Sequence, residues 1–171
     1  MKIFTIIGYT NSGKTRTLEE IIKELVRRGY SVNTVKNVHI ENFSIDTEGK
    51  DSWRHREAGA TVTGVRSNIE TAIIFQRRMN AKELIPYFNC DFLALEGFSD
   101  ETSIPKILCA KDLEDLDERF DKTVFAISGV VANEVTEYID VKSINSLLNI
   151  KALVDLIEKH AIDKEEFLAK G

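Results

Sequence analysis

The sequence predicts an α/β fold, a three-layer α/β/α sandwich around a mostly parallel sheet with one β-hairpin extension. Three observations carry that reading. Short apolar runs of strand composition alternate with segments of helical periodicity along the 171 residues,. The run Ile3-Phe4-Thr5-Ile6-Ile7 leads directly into Gly8-Tyr9-Thr10-Asn11-Ser12-Gly13-Lys14-Thr15, which fits the phosphate-loop spacing G-x-x-x-x-G-K-[ST],. A later run, Asp91-Phe92-Leu93-Ala94-Leu95-Glu96-Gly97, has the composition of a buried strand and ends in an acid,.

The elements follow in order. After the first strand and its loop, Leu18, Ile21, Ile22, Leu25 and Val26 recur on one helical face, and Gly29 stops the helix,. Residues 31–35 read as a second strand, and residues 36–51 as a long polar loop rich in chemistry. A short helix over 52–58, capped by Ser52, precedes two β-rich runs at 60–66 and 69–75. Ser67-Asn68 lies between them, so they form a hairpin,. A short helix is expected over 81–87, strands at 105–109 and 123–127, a helix over 112–119 and a last helix over 144–160.

Hydrophobic residues make up 43% of the chain and charged residues 30%, with nine Gly and two Pro. That balance suits one folded nucleotide-binding domain over residues 1–171. The formal net charge of −5 gives no basis for a nucleic acid or an anionic membrane held by broad electrostatic attraction,. No run approaches the roughly 20 apolar residues of a membrane span, and the start lacks the pattern of a signal peptide, so the cytoplasm is the expected compartment. Cys90 and Cys109 lie far apart without C-x-x-C spacing, which points to reduced, partly buried thiols and not to a disulfide or zinc framework,.

The phosphate loop carries the chemistry. Its glycines allow a tight turn that brings backbone N–H groups against a polyphosphate, with the positive end of the following helix behind them. Lys14 is expected to reach the β- and γ-phosphates, and Thr15 to offer its hydroxyl to Mg²⁺. The binding set is Gly8, Thr10, Asn11, Ser12, Gly13, Lys14, Thr15 and Arg16. Glu96, at the end of its strand, is the expected second metal-side group, the alternative being a pair with a nearby lysine. In the long loop, Asp46 and Asp51 are candidates to orient water near the γ-phosphate, and Arg54, His55 and Arg56 cluster as possible phosphate or carboxylate donors. His39 is a weaker metal or phosphate candidate.

Lys36-x-x-His39, Asp46-x-x-Gly49-Lys50-Asp51-Ser52-x-Arg54-x-Arg56-x-Ala58-Gly59-Ala60, Glu96-Gly97-Phe98 and Pro105-Lys106 accompany the phosphate loop. Together these residues resemble the molybdopterin-guanine dinucleotide biosynthesis protein B family over nearly the whole chain. The resemblance implies a dimeric phosphate-loop domain that binds GTP with Mg²⁺, hydrolyses it weakly, and assists attachment of GMP to molybdopterin beside the guanylyltransferase that performs the coupling. It implies a triphosphate role for Lys14, a metal-side role for Thr15 and Glu96, and a place near the γ-phosphate or the pterin partner for Asp46, Lys50 and Asp51. Many members carry histidines after the lysine and after His39, where this chain has Asn37 and Ile40. A role that needs a histidine cluster is therefore not carried over. No N/T-K-x-D motif follows a strand, and Ser128 in the Ile127-Ser128-Gly129 turn is taken for the base side of the pocket.

Two other classes share the phosphate loop. A small-molecule kinase would recruit Arg54, Arg56, Arg66, Arg77 or Arg78 as clamps on the transferred phosphoryl group. A nickel or zinc metallochaperone GTPase would use histidines, of which the chain has three.

Overall fold

Three of the strand runs are apolar along nearly their whole length because they lie in the middle of the molecule, covered on both faces. In the computed structural model, which describes residues 1–169, these are β1 (Lys2–Ile7), β5 (Phe92–Glu96) and β6 (Lys106–Ala110). The remaining elements are α1 (Lys14–Arg27), β2 (Val32–Lys36), α2 (Asp51–Glu57), β3 (Val62–Arg66), β4 (Thr71–Phe75), α3 (Ala81–Leu84), α4 (Leu113–Arg119), β7 (Val124–Gly129), β8 (Glu137–Tyr138), β9 (Val141–Lys142), α5 (Ile150–His160), β10 (Ile162–Asp163) and α6 (Lys164–Ala169). Single 3-10 turns occupy Ile85–Tyr87 and Val130–Asn133.

The central sheet runs in the order β2-β5-β1-β6-β7, every neighbouring pair parallel, and β10 adds an antiparallel pairing at the start of β1. One face carries Phe4, Ile6, Phe92, Ala94, Ile107, Cys109 and Ala126 against Leu18, Ile21 and Leu25 of α1 and Leu153, Val154 and Ile157 of α5. On the other face Leu108, Ala110 and Ile127 pack with Leu116 of α4 and Val131. The three-layer expectation therefore holds. Strand order reverses at β1, since β2 and β5 lie to one side of it and β6 and β7 to the other. The carboxyl end of β1 is thus the switch point at which open α/β sheets bind ligands.

The chain divides into two compact units, one formed by Met1–Asn37 with the residues from Ile85 onward, the other by Val38–Leu84. The second unit holds α2, α3 and the hairpin β3-β4, whose register runs from Val62 opposite Phe75 to Arg66 opposite Thr71. Its turn spans four residues, wider than the two-residue Ser67-Asn68 link. Ser67 closes it by donating its amide to the Glu70 carbonyl, while its hydroxyl oxygen accepts from the amides of Ile69 and Glu70,.

Four local expectations are corrected. The last long helix begins at Ile150, because Ile144 donates its amide to the Ile127 carbonyl and residues 143–144 run along β7. β10 and α6 follow it. Helix α2 starts at Asp51 with Lys50 at its N-cap, and the Ser52 hydroxyl, instead of capping, donates to Asp46 Oδ1 at 2.7 Å. Val26, counted on the buried face of α1, is 56% exposed because it lies past the edge of the apolar stripe.

Helix α1 is tied to α5 by ion pairs. Glu24, buried to 5% side-chain exposure, accepts from Arg27 at 2.7 Å and from Arg28 at 2.9 Å. Arg28 also reaches Asp155 at 2.7 Å, Glu158 at 3.0 Å and the Lys151 carbonyl. The two guanidinium groups hold the Glu24 carboxyl down at about 2, against an ordinary value of 4.5. A depressed carboxyl stabilises the fold above its unfolded value and loses that contribution as pH falls toward its folded value. Chemical denaturation at a series of pH values should therefore show stability falling between about pH 5 and 2, with Glu24→Gln flattening that part of the curve.

Candidate nucleotide site

Residues 8–15 leave the carboxyl end of β1 and turn into α1, whose first-turn amides have no intrahelical acceptor,. The turn requires glycine at its start. Gly8 has φ +143°, and a Cβ there would lie 2.0 Å from the Cys109 carbonyl oxygen and 2.8 Å from Ser12 Oγ. Asn11 takes the left-handed conformation with φ +64°, which asparagine tolerates, at the exposed tip,. The far side is equally tight, since a Cβ on Gly129 would lie 2.2 Å from the Ser12 carbonyl oxygen. Val130 N donates to that same carbonyl at 3.2 Å. Loop, β6 and β7 therefore meet backbone to backbone.

Lys14 Nζ donates to the Tyr9 carbonyl at 2.8 Å, so the loop's own cation lies folded over its own backbone. Burial lowers the Lys14 pKa, with the charges of Lys36 and Arg119 acting the same way and Glu96 opposing them. Glu96 stands opposite Ile6 in the β1-β5 register, and Gly97 N donates to the Ile6 carbonyl at 2.9 Å. Its carboxylate is thereby fixed beside the start of the loop, at 8% exposure. Lys36 Nζ lies 3.4 Å from Glu96 Oε1, so the lysine pairing weighed from sequence is present as well. Asn37 joins the same strand end through its amide to the Glu96 carbonyl and Nδ2 to the Gly97 carbonyl.

Thr15 and Arg16 are exposed on the first turn of α1, and Thr10 is exposed on the loop. Ser12 is fully buried and its hydroxyl has no hydrogen-bond partner. Buried hydroxyls are ordinarily paired. An orphan hydroxyl in the loop that leads to Lys14, with Glu96 at the end of the strand beside β1, fits a polyphosphate with a divalent cation. The thiol of Cys109 lies beneath the loop, and burial pushes it up to about 12, so it is protonated at neutral pH and supplies no ligand anion,.

Ser128 is placed differently from the base-side role expected of it. It is fully buried, donates to the Ile144 carbonyl at 2.8 Å and lies 3.5 Å from Thr17 Oγ1. Its hydroxyl points into the interior, as alternation along β7 dictates when Gly129 faces the loop. Asp46, Lys50 and Asp51 all belong to the second unit. There Asp46 Oδ1 accepts from Ser52 Oγ and Thr47 N, Lys50 sits at the N-cap of α2, and the Asp51 side chain is 91% exposed. Arg56 lies over the Trp53 ring at 5.6 Å, while Arg54 and His55 are exposed.

The sequence pattern did not single out the anchor of Tyr9. Its hydroxyl donates to Glu118 Oε2 at 2.6 Å, and Arg119 lies 3.9 Å over its ring, tying the loop to the end of α4,. An aromatic residue inside a phosphate loop is the one local signal that could have prompted a search for such a partner.

Residues 3–132 match the family model described as molybdopterin guanine dinucleotide synthesis protein B. The chain is similar to a molybdopterin-guanine dinucleotide biosynthesis adapter protein of Haemophilus influenzae, 37% identical over 66% of this chain and 68% of that one. It is similar to a putative adapter protein of the same description from Methanocaldococcus jannaschii, 32% identical over 74% of this chain and 55% of the relative's length. The crystal structure of Bacillus subtilis MobB superposes with a TM-score of 0.77 at 26% identity, covering 96% of this chain and all of that one.

Placing a Cβ against a carbonyl oxygen that cannot retreat strains both loop and strand. Gly8→Ala and Gly129→Ala should each lower stability by about 1–3 kcal/mol in denaturant melts, whereas Gly49→Ala, with open space around it, should cost about 1 kcal/mol or less, from its positive φ alone,.

Proposed function

Because the chain belongs to the molybdopterin guanine dinucleotide synthesis protein B family, we propose that it is a GTP- and Mg²⁺-binding adapter in the conversion of molybdopterin to molybdopterin guanine dinucleotide. The observation that carries this reading is the phosphate cradle: a glycine turn clamped against β6, a buried orphan hydroxyl on Ser12, and Lys14 and Glu96 at one strand edge. Bound GTP supplies a polyphosphate whose negative charge the protein must neutralise, and Mg²⁺ supplies part of that neutralisation.

The chain's own residues divide the task. Backbone amides of the loop and of the first turn of α1 would bind phosphate oxygens, and Lys14, now on the Tyr9 carbonyl, would turn to the β- and γ-phosphates. Thr15 would offer its hydroxyl and Glu96 its carboxylate to Mg²⁺, which would supply charge neutralisation for the phosphates. Lys36, 3.4 Å from Glu96 Oε1, releases the carboxylate or shares it. Asp46, Lys50 and Asp51 act with the nucleotide or with the pterin-bearing partner from the second unit. Hydrolysis is slow, since the sequence fixes no arginine finger or attacking-water residue beside the loop.

The protein acts as a homodimer beside the molybdopterin guanylyltransferase, presenting nucleotide or organising the substrate complex. Among the described residues no helix is long and apolar enough to cross a membrane, and the proposed place of work is the cytoplasm.

Titration calorimetry with GTP and Mg²⁺ should give micromolar binding, and Lys14→Ala should weaken it by about 100-fold, the order expected for losing a charge-assisted contact to phosphate. Equal binding by the two proteins would overturn the nucleotide site. Glu96→Gln should leave GTP binding without metal nearly unchanged and weaken the added effect of Mg²⁺. Failure of the GTP-loaded protein to retain the guanylyltransferase in a pull-down would count against the adapter role and not against the site.

A further inference from the structure

A cleft of about 640 Å³ opens at the amino ends of β6 and β7, the sheet edge opposite the phosphate loop. Its walls are the β8-β9 turn and the last turns of α5, all within the first unit. Pro105, Phe125, Val141 and Leu156 give it an apolar lining. The His160 ring stacks on Phe125, with centroids 5.3 Å apart and planes 12° from parallel. Lys122, Lys142 and Lys159 stand around this patch, and Asp140 is the one acid among the described lining residues.

Three cations gathered at one cleft run against the balance of a chain whose net charge is −5. The acids next to them in sequence are already engaged. Asp121, before Lys122, accepts from Lys106 Nζ at 2.6 Å and from the amide of Thr123. Glu158, before Lys159, lies 3.0 Å from Arg28. Glu137 stands opposite Lys142 in the β8-β9 register, and no ion pair joins them. Among the described residues, none of the three lysines makes an ion pair or a side-chain hydrogen bond. Partial burial, and after it the charge of Lys159, lowers the His160 pKa below 6.5, so the ring is mostly neutral at pH 7. Like charges around an apolar wall repel one another and focus a positive potential into the cleft, which a bound anion relieves.

We propose that this cleft is a second ligand site, for a small organic anion with a flat apolar body. The body packs against the Phe125–His160 stack, and its phosphate or carboxylate is held by Lys122, Lys142 and Lys159. The volume and the mixture of apolar lining with a few charged groups suit a small-molecule site,. Lysines act as flexible point charges, so they accept either oxyanion. Binding here is independent of the nucleotide site, from which β6 and β7 separate it.

The chain has three histidines, His39, His55 and His160, and the imidazole signal lost in His160→Gln identifies the cleft in NMR spectra of the full chain. The probes are phenyl phosphate, benzoate and phenol. Both anions should move the His160 signal saturably and raise its pKa, since an adjacent negative charge favours the imidazolium, while phenol should leave it in place. Binding of phenyl phosphate about tenfold tighter than benzoate identifies a phosphate ligand, and equal or weaker binding a carboxylate. Lys122→Gln, Lys142→Gln and Lys159→Gln should each weaken the anion by about threefold, and the triple variant by about tenfold or more. Thermal melts of these variants should match the wild type, because the three side chains are exposed and unpaired. Lys14→Ala should respond as the wild type does. An unmoved His160 signal, an equal response to phenol, or unchanged affinity in the triple variant would overturn the site. A response lost in Lys14→Ala would put the anion on the phosphate loop and overturn it too, and none of these results bears on GTP binding.

Discussion

The contact on which the site depends is the approach of bare backbone to backbone at Gly8 and Gly129. At these two positions the phosphate loop lies so near the ends of β6 and β7 that no side chain fits between them. The sheet thereby holds the loop's backbone in one conformation, and the cost of ordering it is met during folding. The sheet can supply this rigidity because β1, β5 and β6 are buried on both faces and pair in parallel register. Each core residue behind the loop is thus indirectly a determinant of its shape.

Charge is organised around the same edge. Lys36 and Glu96 end β2 and β5 next to the start of α1, close enough for their charges to act on Lys14 in opposite directions. Lys36 is the lysine paired with the Glu96 carboxylate, at 3.4 Å. Lys14 is anchored to the Tyr9 carbonyl, and Tyr9 is in turn held by Glu118 and Arg119. The loop is therefore braced from α4 as well as from the sheet.

The three-layer fold was legible in the sequence because its strands are continuous apolar runs and its long helices have a single apolar stripe. The register errors fell where those signals are weak. Residues 144–149 have helical composition, but Ile144 finds a backbone partner on Ile127 and the residues after it form a turn closed on the Asn145 carbonyl. Ser52 has cap chemistry but bonds to Asp46, six residues back, and no periodicity reports that distance.

For the site, the spacing of Gly8, Gly13, Lys14 and Thr15 and the acid at the end of β5 were enough to expect the loop and Glu96 at one sheet edge, since these depend on chain order along two neighbouring strands. The family followed from the Asp46 to Ala60 signature, which is also a matter of linear order. Only tertiary structure decided which groups stand across from the loop. Ser128 turns inward and Gly129 outward because strand residues alternate, and Tyr9 meets Glu118, 109 positions further along the chain, and Arg119 after it. Asn133 meets Asn145 for the same reason, since contacts made between separate loops leave no spacing in the sequence to read.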